Sequence, residues 1–153
     1  MGKTDEQKSS KTMIVVATDI EYKIAKERFQ DEEILQTGVG GANVVNALKD
    51  IPRNTPIVNF GYVGSKSIPK GTEVNIGSCS TYHPNVDFED VHFSLCGNVH
   101  CFTSTDFVTD TTETNAVFDM ELAFICALGF ENVQSIKIVS DNLNLTEYEQ
   151  ATR

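Results

Sequence analysis

Basic side chains are scarce in this sequence. Its 153 residues include 12 lysines and arginines against 22 acidic residues, a formal net charge of −10. Only three are arginines, Arg28, Arg53 and Arg153, and they form no cluster. Affinity for nucleic acid comes mainly from Lys and Arg neutralising phosphates, so nucleic acid and anionic membranes are poor candidates as partners. Long apolar runs are missing too: the longest, from Leu122 to Leu128, falls far short of a membrane span. The opening MGKTDEQKSSKT lacks the apolar stretch of a secretion signal, and its Gly2-Lys3-Thr4-Asp5-Glu6 lacks the Ser or Thr of a myristoylation site. Cys79, Cys96, Cys101 and Cys126 form no C-x-x-C pair and no metal-ligand spacing, and three of them lie in apolar surroundings where cysteine behaves as a small hydrophobe. His83, His92 and His100 share no metal spacing either. A reduced, cytoplasmic protein with no metal and no organic cofactor is expected.

What is present describes a folded globule. Hydrophobic residues make up 40%, with nine Phe and four Tyr, too many for a disordered acidic chain. The length suits one domain with its own core. Residues 1–11 read as a disordered lead-in to a single domain over 12–153.

The hydrophobic pattern predicts alternating strands and helices. MIVVA, Met13 to Ala17, and PIVNF, Pro56 to Phe60, are short continuous apolar runs, as in parallel strands buried on both faces. Thr18 and Asp19 offer N-caps for a helix through about Gln30. Ile34 to Thr37 reads as a strand and Ala42 to Lys49 as a helix. Glu73 to Cys79, Val91 to Leu95 and Val99 to Thr103 are β-rich, and Cys96-Gly97 is placed to turn the last two into a hairpin with His92 opposite Cys101. Ala116 to Leu128 predicts an apolar helix closed by Gly129, and Ser135 to Ser140 predicts the last strand, with a short acidic tail after it. The expected fold class is α/β, a three-layer sandwich with a central mixed β-sheet flanked by helices.

In such folds ligands sit beyond the carboxyl ends of strands. Four predicted strand ends carry polar residues: Thr18-Asp19-Ile20-Glu21, Gly61-Tyr62-Val63-Gly64-Ser65, Ser104-Thr105-Asp106-Phe107 and Ser140-Asp141-Asn142. Caps and turns use the same residue types, so each taken alone has an ordinary explanation. Four at one sheet edge are harder to dismiss. Asp119 and Glu121 are the only charges between Ala116 and Phe130. On a helix they point to roughly opposite sides, so one suits the solvent-side N-terminus and the other a cavity, a ligand or a partner. Gly38-Val39-Gly40-Gly41 begins like a dinucleotide fingerprint, but Asn43 stands where the third glycine belongs, and a tight strand-to-helix turn explains it better.

Five blocks, taken in order, resemble the nucleoside phosphorylase superfamily, in the pattern of its methylthioadenosine/S-adenosylhomocysteine nucleosidases: IVVATDIEY, TGVGGANVVNAL, IVNFGYVGS, VFDMELAFICALGF and KIVSDNLN. The Met-Glu pair, here Met120-Glu121, and the Ser-Asp turn, here Ser140-Asp141, carry most of the specificity. The resemblance implies hydrolysis of the N-glycosidic bond of an adenine nucleoside. Glu21 would handle the nucleophilic water, and Asp141 would be the general acid at purine N7. Glu121 would hold the ribose hydroxyls, with Met120 packed against the sugar. Phe107 would stack on the base, with the Val108 backbone at its edge. Tyr62 stands where the family has a small residue, beside the nucleophile position. Tyr82-His83 resembles a family Tyr-His pair to which no role is assigned. Family members are longer, so the chain is expected to be truncated at the C-terminus, without a cover helix, and to form a homodimer or higher homo-oligomer. Phosphate as the nucleophile needs an anion site, and neither glycine loop contains an arginine, so water is favoured. A phosphorylase and a non-catalytic nucleoside-binding module are the alternatives.

Overall fold

The structure, a computed structural model, describes residues 11–82 and 92–151. The expected lead-in, apart from Lys11, lies outside the described residues, as do His83 and Val91. In chain order the elements are β1 (Met13–Val16), α1 (Asp19–Arg28), β2 (Glu33–Gln36), α2 (Gly41–Leu48), β3 (Ile57–Gly64), β4 (Glu73–Thr81), β5 (His92–Ser94), β6 (Val99–Thr103), β7 (Ala116–Asp119), α3 (Leu122–Ala127), β8 (Val133–Asp141) and α4 (Leu145–Ala151).

β1 shows why a four-residue apolar run becomes a strand. It lies parallel between β2 and β3, and all four of its residues are buried. Ile14 and Val16 pack with Ala25 of α1 and Phe60, while Met13 and Val15 pack with Val44 and Leu48 of α2. Each face of the strand thus meets its own helix, so no polar alternation is needed.

The described strands form one mixed sheet of eight, and its pairing closes on itself. β3 pairs with β7, β7 with β6, β6 with β4, β4 with β8, and β8 with β3. β2 and β1 extend this circuit from β3, and β5 extends it from β4. The α/β class is as expected, but the sheet reads as barrel-like rather than as the central layer of a three-layer sandwich. One apolar cluster draws Val63, Val74, Ile76, Cys79, Cys101 and Val139 from the strands, with Leu122 and Ala123 of α3 packed into it.

Two expectations fail for identifiable reasons. The β5–β6 hairpin does not form: β5 pairs antiparallel with one edge of β4 and β6 parallel with the other, so His92 faces Ser80 rather than Cys101. The Cys96–Asn98 segment crosses the β4 backbone instead of turning. Leu95, Gly97 and Asn98 donate their N–H groups to the carbonyls of Gly77, Ile76 and Asn75. A Cβ on Gly97 would lie 2.2 Å from the Asn75 carbonyl oxygen, and one on Gly77 would lie 2.2 Å from that of Gly97. Only a glycine pair permits the crossing.

The second failure is the helix over 116–128. Ala116–Asp119 is instead a fully buried strand parallel to β6, and the helix begins only at Leu122. An apolar run buried all round carries no period that separates strand from helix. The residues after β8 also fold: α4 forms where a tail was expected, and it packs against β8.

Candidate active site

Glu21 shows how a cap and a site residue coincide. Thr18 is the N-cap of α1, and its Oγ1 accepts the Glu21 N–H at 3.3 Å, while Glu21 Oε1 accepts the Thr18 N–H at 3.1 Å. This reciprocal pair is the capping box expected of T-x-x-E. Glu21 does more than cap, however. Its Oε1 also accepts the Ala17 N–H at 2.9 Å, and its Oε2 reaches across to the Tyr62 N–H of β3 at 2.8 Å. The carboxylate is buried, with three backbone donors fixing it at the ends of two parallel strands.

The glycines around Tyr62 make room for two carboxylates. A Cβ on Gly61 would stand 2.8 Å from Glu21 Oε2, and one on Gly64 would stand 2.8 Å from Asp141 Oδ1. Gly61→Ala is therefore expected to displace the Glu21 carboxylate with little change in folding, because the side-chain end can shift where main chain could not. A crystal structure of the variant beside a circular dichroism melt checks this, and an unmoved Glu21 carboxylate would overturn it.

Asp141 ends β8 and is 0% exposed. Its Oδ1 accepts the Leu143 N–H at 2.9 Å, and Ser140 Oγ donates to its Oδ2 at 2.9 Å. Burial pushes its carboxyl above the ordinary aspartate range, with these two hydrogen bonds pulling the other way. Leu143 sits at φ 66°, a left-handed conformation uncommon for a non-glycine residue, right where the turn folds back under Asp141.

Glu121 lies in the turn between β7 and α3, not on a helix. Its Oε2 accepts the Gly40 N–H at 2.8 Å, so the Gly38–Gly41 turn holds this carboxylate as well as starting α2. Gly40 has φ 92°, which explains the glycine there. Burial pushes the Glu121 carboxyl up to about 7, helped by the negative charge of Asp119 and opposed by Lys137 and the Gly40 N–H.

All seven residues singled out in the sequence border one cavity: Glu21, Tyr62, Phe107, Val108, Met120, Glu121 and Asp141. Sequence reasoning missed Leu143 and Tyr148, which border it too. Tyr148 reaches the cavity from α4, with its ring centroid 5.2 Å from that of Phe107. Burial raises the pKa of its hydroxyl, and the charges of Glu21, Glu121 and Asp141 push the same way, as expected where the three carboxylates surround one space. A tyrosine in a polar tail gave no periodic signal, so no sequence feature could have placed it there. Asp119 borders the cavity as well. It is buried beside the cavity and paired with Lys137.

Other polar residues at the strand ends serve turns. Ser104 Oγ accepts the Asp106 N–H, Ser65 Oγ donates to the Ala116 carbonyl, and Asn142 Nδ2 donates to the carbonyls of Ser65 and Ile68. His100 is held by hydroxyls, with Nδ1 2.7 Å from Ser78 Oγ and Nε2 2.9 Å from Ser80 Oγ. Among the described residues, no arginine or lysine borders the cavity. Arg28 is tied to Glu73, and Arg53 donates to main-chain carbonyls.

This architecture is shared with solved structures of nucleoside-cleaving enzymes. MTAN from Chlamydia trachomatis superposes with a TM-score of 0.71 at 17% identity, over 93% of this chain and 92% of that one. The 5′-methylthioadenosine/S-adenosylhomocysteine nucleosidase of Neisseria meningitidis, in complex with methylthio-immucillin-A, gives 0.74 at 13% identity over 94% and 92%. Futalosine hydrolase of Helicobacter pylori gives 0.77 at 9% identity over 95% and 92%. The fold is therefore the one that these solved structures share. No family model and no curated protein sequence matches the chain.

Proposed function

We propose that the protein is a purine nucleosidase, hydrolysing the N-glycosidic bond of an adenine nucleoside such as methylthioadenosine or S-adenosylhomocysteine. The observation that carries this reading is the convergence of Glu21, Glu121 and Asp141 on one cavity that also holds the Phe107 ring. Cleaving an N-glycosidic bond needs three things: a leaving base that gains a proton, a sugar able to carry positive charge, and a placed nucleophile. Asp141, with its carboxyl held above the usual range, is suited to give a proton to purine N7. Glu121 accepts hydrogen bonds from the ribose hydroxyls and offsets the oxocarbenium charge. Glu21, already fixed by three main-chain donors, orients water at C1′ and takes its proton. Phe107 offers a π-face to the base, the Val108 main chain meets the base edge, and Met120 and Tyr62 pack around the sugar.

Water rather than phosphate is supported by the lining. A phosphate nucleophile needs cationic partners, and among the described residues this cavity is bordered by carboxylates without an arginine or lysine. A homodimer or higher homo-oligomer in the cytoplasm belongs to the same proposal; Val39, Val45 and Leu145 are large apolar side chains left exposed.

The test is chromatographic detection of free base from a panel of methylthioadenosine, S-adenosylhomocysteine, adenosine, inosine and their deoxy forms, with and without phosphate. Release without phosphate is expected, with adenine nucleosides ahead of inosine. Release that needs phosphate would make the protein a phosphorylase. Binding without release would leave a nucleoside-binding module.

A further inference from the structure

A buried ion pair lies behind the cavity, and the reaction above makes no use of it. Lys137 on β8 is 1% exposed, and its Nζ lies 3.3 Å from Oδ2 of Asp119 on β7, itself 5% exposed. The neighbouring strand interior is apolar, with Cys101, Val117 and Val139. A buried pair in such surroundings is weak evidence for stability, because well-packed apolar residues usually do as well. Some other property must depend on it.

The hydrogen bonds of Asp119 show what it builds. Oδ2 accepts the Leu122 N–H at 2.8 Å, and Oδ1 accepts from Thr103 Oγ1 at 2.6 Å. Thr103 Oγ1 in turn accepts the Ala123 N–H at 3.0 Å, and the Asp119 carbonyl accepts the Ser104 N–H at 2.9 Å. The turn that presents Glu121 is thus tied down on both sides through one carboxylate. That anchor carries a cost: it places a second negative charge two residues from Glu121, with Glu21 of α1 adding to the field. Like charges in an enclosed site push each other toward the neutral form. The Lys137 ammonium lies against Asp119, and its positive charge works against that push on Glu121.

We propose that Asp119 and Lys137 are positioning residues: Asp119 builds the turn that aims the Glu121 carboxylate, and the buried Lys137 ammonium offsets the charge that Asp119 places beside that carboxylate. The consequence for turnover rests on the nucleosidase reading, whereas the electrostatic coupling does not. The other groups facing Glu121 are the Gly40 N–H at the start of α2, the Cys101 thiol of β6 and the Tyr148 hydroxyl of α4. All are retained in the variants below.

The experiment is a carbon-13 NMR titration of glutamate side-chain carboxyls in the full chain, with the Glu121 signal identified by its loss in Glu121→Gln. Lys137→Met is expected to move the Glu121 midpoint up by on the order of one pH unit, and Asp119→Asn to move it down by a similar amount. Lys137→Arg, which keeps the charge, should restore the wild-type midpoint. A merely structural role would not shift the two variants in opposite directions. Should Lys137→Met not fold, the double variant Lys137→Met/Asp119→Asn serves in its place. There, Glu121 must titrate at higher pH than in Asp119→Asn alone. Shifts of the same sign, or none, would overturn the assignment. Base release from the same proteins is scored separately: opposite midpoint shifts without any nucleoside cleavage would sink the nucleosidase reading and leave the ion-pair assignment standing.

Discussion

Replacing Asp141 by Asn is expected to lower base release from methylthioadenosine about 10³-fold, the range lost when a positioned general acid is removed. Binding of the intact nucleoside should change little. The substitution is close to isosteric, and the amide oxygen still accepts the Leu143 N–H that now meets Oδ1. The amide N–H₂ can donate a hydrogen bond to purine N7, yet it has no proton to transfer as the bond breaks. The loss should therefore fall on kcat rather than on KM, which separates the role from simple base recognition. Burial holds the Asp141 carboxyl above its ordinary range, and as the proposed general acid it acts in its protonated form. Wild-type turnover should accordingly decline as pH rises through that elevated pKa, and the residual rate of the Asn variant should lack this limb. Single-turnover kinetics across pH, alongside calorimetric binding, measures both effects. A variant that kept wild-type kcat would remove Asp141 from the chemistry.

Much of the site was legible in the sequence, because strand ends are marked by short-range signals. T-x-x-E after MIVVA announces a capping box, and the capping geometry itself delivers Glu21 to the strand end. The glycines bracketing Tyr62 report close approach of other atoms, and the structure shows what approaches: the Glu21 and Asp141 carboxylates. What was illegible depended on partners far away in sequence. Ala116–Asp119 is a strand because the edge of β6 is there to receive it, and nothing within the run itself says so. Because the strand stops at Asp119, Asp119 and Glu121 do not sit on opposite faces of a helix. One anchors the turn and the other is presented by it, and both border the cavity. Cys96-Gly97 looked like a hairpin turn because local chemistry permits one. Its use as a crossing over Gly77 rests on a contact between two glycines twenty residues apart, which only the assembled sheet reveals. Tyr148 belongs to the same class, since it needs both α4 and the Phe107 loop to be in place.

Glu121→Gln should move activity and stability in opposite directions. Activity is expected to fall about 100-fold, the scale seen when one electrostatic stabiliser of a developing charge is lost. A neutral amide still accepts the Gly40 N–H through its carbonyl oxygen, so the turn should stay in place. What disappears is the negative charge opposite the oxocarbenium ring. The stability effect follows from the elevated pKa of about 7 in the folded protein, against an ordinary value of 4.5. Between those two values the folded state binds more protons than the unfolded chain, so this group stabilises fully below about 4.5 and that contribution is lost as pH rises through about 7. At pH 8 the wild type carries an ionised carboxylate crowded by Asp119, and the variant does not. The variant should be more stable there by about 1 kcal/mol, less than full linkage implies, because the carboxylate is only partly withdrawn from solvent. Near pH 4.5 the advantage should vanish. Thermal melts of both proteins at several pH values read this directly. If Glu121→Gln instead lowered stability at pH 8, the carboxylate would have to be contributing an attraction that outweighs its crowding. Lys137 of β8 is the cation whose charge acts on it, so the site would then be built around a Glu121–Lys137 attraction rather than around the turn anchored on Asp119.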